Sequence, residues 1–157
     1  MRNGVDLWAV TVEGDVLVRF GVDAARPEGT GWRHVPTDQP FRCVSVGEEG
    51  CVWGVCQDGA AWFRSNVTPS TPQGDAWVHV GKPGKDGLFQ LSAGSSAVWA
   101  VDSRHQLWLR KDVTPGSTPG GTAWMFVSFN VKHVSCGFLN QVSLLPRGPE
   151  DGMYITS

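Results

Sequence analysis

The chain has 157 residues, 41% of them hydrophobic and 18% charged, enough for one average domain or several small repeated units around a real core. Its formal net charge of -2 gives no electrostatic reason to invoke nucleic acid or an anionic membrane surface, and no stretch approaches the roughly eighteen apolar residues of a membrane-spanning helix. Twenty glycines and ten prolines in so hydrophobic a chain, with eight tryptophans against one tyrosine, point to many turns between short strands and to an all-β protein.

The opening MRNGVDLWAV lacks the long apolar run and small-residue cleavage site of a secretory signal. A strand with Trp8 follows, then a turn near Gly14-Asp15, a strand ending at Arg19, the segment Ala24-Ala25-Arg26-Pro27, and a strand opened by Trp32. Four short runs rich in β-branched and aromatic residues come next, at 41–47, 51–57, 60–66 and 76–81. Asp58-Gly59 between the second and third predicts a tight hairpin, because its turn needs positive φ angles that these residues tolerate. GKPGKDG, from Gly81, lacks phosphate-loop spacing and a following helix, so it reads as a connection. The next repeat runs from Leu91 and has Arg104-His105 at the hairpin, which predicts a different or longer turn there. After Cys136-Gly137 the pattern weakens, with Ser143 where a tryptophan is expected.

These elements recur. The strings LWAVTVEGDVLVRFGVDAARPEGTGWRHV from Leu7, VWGVCQDGAAWFRSNVTPSTPQGDAWVHV from Val52 and VWAVDSRHQLWLRKDVTPGSTPGGTAWMFV from Val98 align throughout. Trp8, Trp53 and Trp99, then Arg19, Arg64 and Arg110, then Trp32, Trp77 and Trp124 hold one period, as do VSVG at Val44, LSAG at Leu91 and VSCG at Val134. Four strands in such a period is the arithmetic of a β-propeller blade, a sheet too thin to cover both faces alone. The repeated tryptophans are therefore expected to fill the space between blades, with almost no helix anywhere.

The combined pattern V-W-A/G-V, D-G turn, aromatic strand ending in Arg, V-T-P, P-x-G and W-x-x-V resembles a tectonin repeat over about residues 5 to 145. The resemblance implies a tectonin-type β-propeller segment over 1–157, with repeats at about 5–43, 44–90 and 91–133 and a partial one at 134–157. No VSxG strand precedes Trp8. About three blades and two partial ones are thus present where a ring takes about four to eight, so a fragment, or self-association to complete the ring, is expected. The wording is most similar to the tectonin β-propeller repeat-containing proteins. That implies a non-enzymatic, cytoplasmic scaffold for protein partners of autophagy or lysosome and vesicle trafficking, recruited to lysosomal or autophagosomal membranes. Other relatives imply the alternative, a secreted lectin for glycans or lipopolysaccharide.

Arg19, Arg64 and Arg110 end the third strand before the variable loop and are the candidate partner-binding residues, since a guanidinium fork suits carboxylate, phosphate or sugar hydroxyls. The alternative for them is a structural bond to a neighbouring carbonyl or acid. Trp62 and Trp108 are candidate stacking platforms, with packing inside the blade as the alternative. No catalytic residue, cofactor or metal is expected: the serines of the strands have no oriented base, and His34, His79, His105 and His133 lie at no ligand spacing. Cys43, Cys51, Cys56 and Cys136 sit in apolar strand-like runs and read as buried thiols rather than a disulfide framework, and the sequon Asn66-Val67-Thr68 matters only in a secreted chain. WRHV, WVHV, WMFV and FRCV fit the aromatic-x-x-aliphatic docking pattern, but three of them recur at blade period and read as strand core.

Overall fold

A computed structural model describes residues 7–114, 116–136 and 142–146. Strands β1 (Leu7–Val10), β2 (Val16–Phe20) and β3 (Gly31–Val35) form a three-stranded antiparallel sheet. The second sheet joins β4 (Phe41–Val46), β5 (Val52–Cys56), β6 (Ala61–Arg64) and β7 (Trp77–Gly81) in chain order, and the third does the same with β8 (Leu88–Ala93), β9 (Val98–Asp102), β10 (Leu107–Arg110) and β11 (Trp124–Ser128). β12 (Val131–Cys136) and β13 (Val142–Pro146) pair as a fourth. The one helical segment among the described residues is a 3-10 turn at Glu48–Gly50, and none there is long and apolar enough to cross a membrane. β4 approaches β1 and β8, and β8 approaches β12, while the last strands β7 and β11 make no comparable approach to a neighbouring sheet. The sheets therefore fan outward from their first strands, the all-β propeller expected from the sequence.

Three apolar layers lie between consecutive sheets. Trp8, Val16, Val18 and Val35 meet Phe41, Val52, Cys56 and Val67 between the first and second. Trp53, Val55 and Ala61 meet Leu88, Leu91, Val98 and Val113 between the second and third. Val101 and Leu107 meet Val131, Val134, Val142 and Leu144 beyond. Because side chains alternate faces along a strand, Trp8, Trp53 and Trp99 point to the following sheet and Trp62, Trp77, Trp108 and Trp124 to the preceding one.

Burial at equivalent positions tracks whether the facing sheet is present. Trp53, between two four-stranded sheets, is fully buried, whereas Trp99, facing the two-stranded fourth sheet, is half-buried. Val35 is buried, Val80 is half-buried, and Val127, with no third or fourth strand opposite among the described residues, is 37% exposed. Trp32 corrects the expectation that every repeated tryptophan fills an interblade space: it is 45% exposed, because no described sheet precedes its own.

Polar bonds tie each sheet to the next. The carbonyl of the second-to-third-strand turn accepts the first N–H of the following sheet three times over: Gly14 from Phe41, Gly59 from Leu88 and His105 from Val131, all at 2.9 Å. Near the first strands, Ser45 Oγ accepts from Ala93 N–H (3.0 Å) and Ser92 Oγ from Cys136 N–H (2.8 Å). The Gln90 amide both donates to the Val134 carbonyl (2.8 Å) and accepts its N–H (2.9 Å), so one side chain stands in for a strand.

The three hairpin turns share one geometry, which overturns the expectation of a different turn at Arg104-His105. In each, the first residue donates to the carbonyl four positions on and accepts from the N–H three positions on: Thr11 with Asp15 and Gly14, Cys56 with Ala60 and Gly59, Asp102 with Gln106 and His105. Gly14, Gly59 and His105 all take positive φ, of 95°, 89° and 63°. His105 holds the left-handed conformation without glycine because the buried Asp102 carboxylate accepts the N–H groups of Arg104 and Gln106, each at 2.9 Å, and the Trp108 indole N–H at 3.0 Å.

The small residue of the V-W-A/G-V strand is a packing requirement. A Cβ on Gly54 would sit 2.5 Å from a ring atom of buried Phe41, while the equivalent pair in the third sheet is Leu88 with Ala100. Gly54→Ala is expected to cost about 1–3 kcal/mol by overpacking. Phe41→Leu combined with Gly54→Ala copies the third sheet and should recover at least about 1 kcal/mol relative to the sum of the single changes, read from a double-mutant cycle by urea unfolding.

Candidate functional site

The connections from third to fourth strand form a set of displayed loops, between β2 and β3, β6 and β7, and β10 and β11. The phrase shared by the second and third is a common backbone design. Asn66 and Asp112 open these loops in the left-handed region (φ 54° and 58°), and Gly74 and Gly121 close them there (φ 63° and 69°). Thr68 and Thr71 exchange backbone hydrogen bonds, as do Thr114 and Thr118, before the chain returns to the sheet through Asp75 N–H to Ser65 and Thr122 N–H to Lys111. A Cβ on Gly74 or Gly121 would meet a backbone carbonyl oxygen at 2.5 or 2.4 Å, so glycine is required at both positions. Val67 and Val113 peg each loop into the interblade layer, while Thr68, Pro69 and Ser70 stay exposed.

The candidate arginines sit at the root of these loops. Arg19 Nε donates to the Glu28 carbonyl at 2.7 Å, Arg64 Nε to Gln73 at 2.8 Å and Arg110 Nε to Gly120 at 2.8 Å. Each guanidinium also covers the tryptophan opening the next strand, with Cζ 5.0 Å from Trp32 and 5.5 Å from Trp77 and Trp124. Burial holds the Arg64 and Arg110 guanidiniums below their ordinary pKa, an effect that Asp75 opposes at Arg64. The arrangement clamps a loop carbonyl to the sheet, the structural alternative that the sequence left open. Arg64→Met is expected to leave the sheet register unchanged while hydrogen exchange at Thr71 and Gly74 speeds at least tenfold; unchanged protection would mean that Asn66, bonded to Asp75, holds the loop alone.

Trp62 and Trp108 are both half-buried and pack toward the preceding sheet, Trp62 edge-on to His79 with ring centres 4.8 Å apart and Trp108 to Phe126 at 5.6 Å. Two clefts open beside Arg64. One, of about 250 Å³, is lined by Thr37, Asp38, Trp62, Arg64, Asp75 and Trp77; the other, of about 260 Å³, by Cys51, Phe63, Arg64, Asn66, Thr68 and Pro119. Among the described residues no three His, Cys, Asp or Glu side chains gather as metal ligands.

None of the four cysteines is in a disulfide. Burial pushes the Cys51 thiol up to about 11, although the Trp53 indole pulls it the other way. A folded-state pKa raised above its unfolded value means that the thiol ionises first in the unfolded chain, so stability is expected to fall as pH rises from about 9 towards about 11. Urea midpoints across that interval check this, and the slope should flatten in Cys51→Ala.

The sequence reading missed the serines, Gln90 and Asp102 as organising residues. Ser45 and Ser92 were visible as repeat markers without a role, Asp102 as a turn residue, and Gln90 carried no repeat signal at all.

A tectonin domain model matches the chain twice, over residues 3–85 and 43–148. A tectonin beta-propeller repeat-containing protein of Drosophila melanogaster is 49% identical over 126 residues, 80% of this chain and 9% of that protein. Tectonin beta-propeller repeat-containing protein 1 of Mus musculus is 56% identical over 45 residues, 29% of this chain and 4% of that protein. The chain thus spans under a tenth of the length of these relatives. Among solved structures, YCF48 from Cyanidioschyzon merolae superposes with a TM-score of 0.56 at 16% identity, covering 96% of this chain and 51% of that one.

Proposed function

Because this chain belongs to the tectonin family, we propose that it is a non-enzymatic protein-interaction scaffold of autophagy or lysosome and vesicle trafficking. It works in the cytoplasm and is recruited to lysosomal or autophagosomal membranes by what its loops bind. The observation that carries this reading is the contrast between loop roots and loop tips. The roots are alike, each clamped by an arginine and closed by a glycine in the left-handed region. The exposed tips are of two kinds: Ala24-Ala25-Arg26-Pro27-Glu28 in the first loop, against Thr68-Pro69-Ser70 in the second, whose sequence the third repeats with Gly116 inserted before Ser117. A lectin built from equivalent pockets needs one chemistry repeated, so that weak sites add through avidity. A protein-binding face needs rigid but unlike loops, which keep the ordering cost of association low. The recurring Arg and Trp pairs are the feature that a glycan-binding reading would use, and they are engaged with each other and with loop carbonyls.

Proximity labelling in cells tests this, comparing the chain with a variant whose 66–75 loop is replaced by the 21–30 loop. Enrichment of lysosomal or autophagosomal membrane proteins by the parent, lost on the exchange, is the expected result. Saturable binding on a glycan or lipopolysaccharide array, insensitive to that exchange, would overturn it in favour of the lectin.

A further inference from the structure

Arg64 is buried further than its loop clamp requires. It is 9% exposed, whereas Arg19 and Arg110, which make the same clamp, are half-buried. The Gln73 carbonyl engages its Nε, but among the described residues neither terminal amino group meets an acceptor and the guanidinium makes no ion pair. A charge taken out of water is ordinarily paired, because leaving it alone is costly. Asp75 is near enough to oppose the loss of charge at Arg64, yet its carboxylate is held by the Asn66 amide. Arg64 and Trp62, two positions apart on β6, face the first sheet together, and the guanidinium lies over Trp77. Its free donors therefore open onto the cleft of about 250 Å³ that these three residues line.

The rest of the cleft is not a demand of the scaffold, because it does not repeat. Leu17 stands for Trp62 in the first repeat. The position of Asp75, whose N–H returns to the carbonyl at the end of the third strand, is Thr30 in the first and Thr122 in the third. Trp62 and Trp77 supply apolar walls, and exposed Asp38 and Asp75 supply the rim; among the described residues Asp38 makes no hydrogen bond or ion pair. The two rim carboxylates repel a simple anion, and Arg64 repels a simple cation. A molecule with a carboxylate beside an ammonium satisfies both, and a cleft below the roughly 300–1,000 Å³ of drug-sized sites has room for little more. We propose that the cleft binds a free α-amino acid with an apolar side chain. Its carboxylate meets the terminal amino groups of Arg64, whose planar fork suits two oxygens. Its ammonium lies toward Asp38 and Asp75, and its side chain lies against Trp62 and Trp77.

Isothermal titration calorimetry of the chain with L-phenylalanine and with L-leucine tests this, alongside the amide and the N-acetyl derivative of whichever binds more tightly. Saturable binding at one site is expected for at least one of the two amino acids, with both derivatives at least tenfold weaker because each lacks one of the two charges. Asp38→Asn, at an exposed position without bonds, should leave the thermal midpoint unchanged and weaken the amino acid at least fivefold while leaving the N-acetyl derivative no weaker. Saturation by neither amino acid below about 10 mM overturns the proposal. So does an N-acetyl derivative that binds as tightly as its parent, which makes the cleft an anion site, or an amide that does, which makes it a cation site. An affinity indifferent to Asp38→Asn overturns it as well. Thr68, Pro69 and Ser70 do not line the cleft, so these results are separate from what the loop tips bind.

Discussion

Trp53→Ala is expected to be the most damaging single side-chain truncation in the molecule, costing roughly 3–5 kcal/mol. The indole is fully buried, packs on Phe63 at 5.7 Å between ring centres, and stands between two complete sheets that cannot easily collapse into the space it leaves. The loss joins the transfer free energy of a large aromatic to an unfilled cavity, which against a typical domain stability of about 5–15 kcal/mol leaves the fold marginal. Trp32→Ala removes the same residue type from a repeated motif but should cost under about 1 kcal/mol in the monomer, because almost half of that ring is already in water. Guanidinium unfolding of the two variants side by side checks the difference; equal losses would mean that Trp32 is covered in solution.

Gly59→Ala comes next, at roughly 3 kcal/mol. Its φ of 89° is costly for any side chain, and the added Cβ would lie 2.3 Å from the Gly87 Cα, a backbone atom of the following sheet that has nowhere to move. Relief requires the turn to withdraw, which breaks the bond from Leu88 N–H to the Gly59 carbonyl. The change should therefore lower the thermal midpoint and expose the Leu88 amide to exchange together. Substituting Gly84, with nothing within 4 Å of its Cβ position, is the matched control and should leave both unchanged.

Much of this was legible in the sequence because the scaffold's demands repeat. The tryptophans, arginines and serines mark the period, and Asp58-Gly59 marks the hairpin through a backbone conformation that few residues accept. What was not legible depends on neighbours rather than on the repeat. Trp32 and Trp77 occupy the same motif position, yet only the presence of a preceding sheet decides which is covered. The Arg104-His105 turn was misjudged because its support comes from the Asp102 carboxylate rather than from glycine. The serine bonds were invisible because Ser45 and Ser92 reach residues more than forty positions away. At the loops the arginines were visible while their engagement was not, since a carbonyl acceptor such as that of Gln73 leaves no side-chain signature.

The turn-to-strand bonds all run one way, from each sheet to the one encoded after it. During synthesis the turn carbonyl of a newly emerged sheet is satisfied as soon as the first strand of the next one arrives, as Gly59 is by Leu88, but its forward-facing tryptophan stays uncovered until the rest of that sheet follows. Folding is then vectorial, each unit a template that the next one caps, and a nascent chain stalled within β8 would present Trp53 to chaperones.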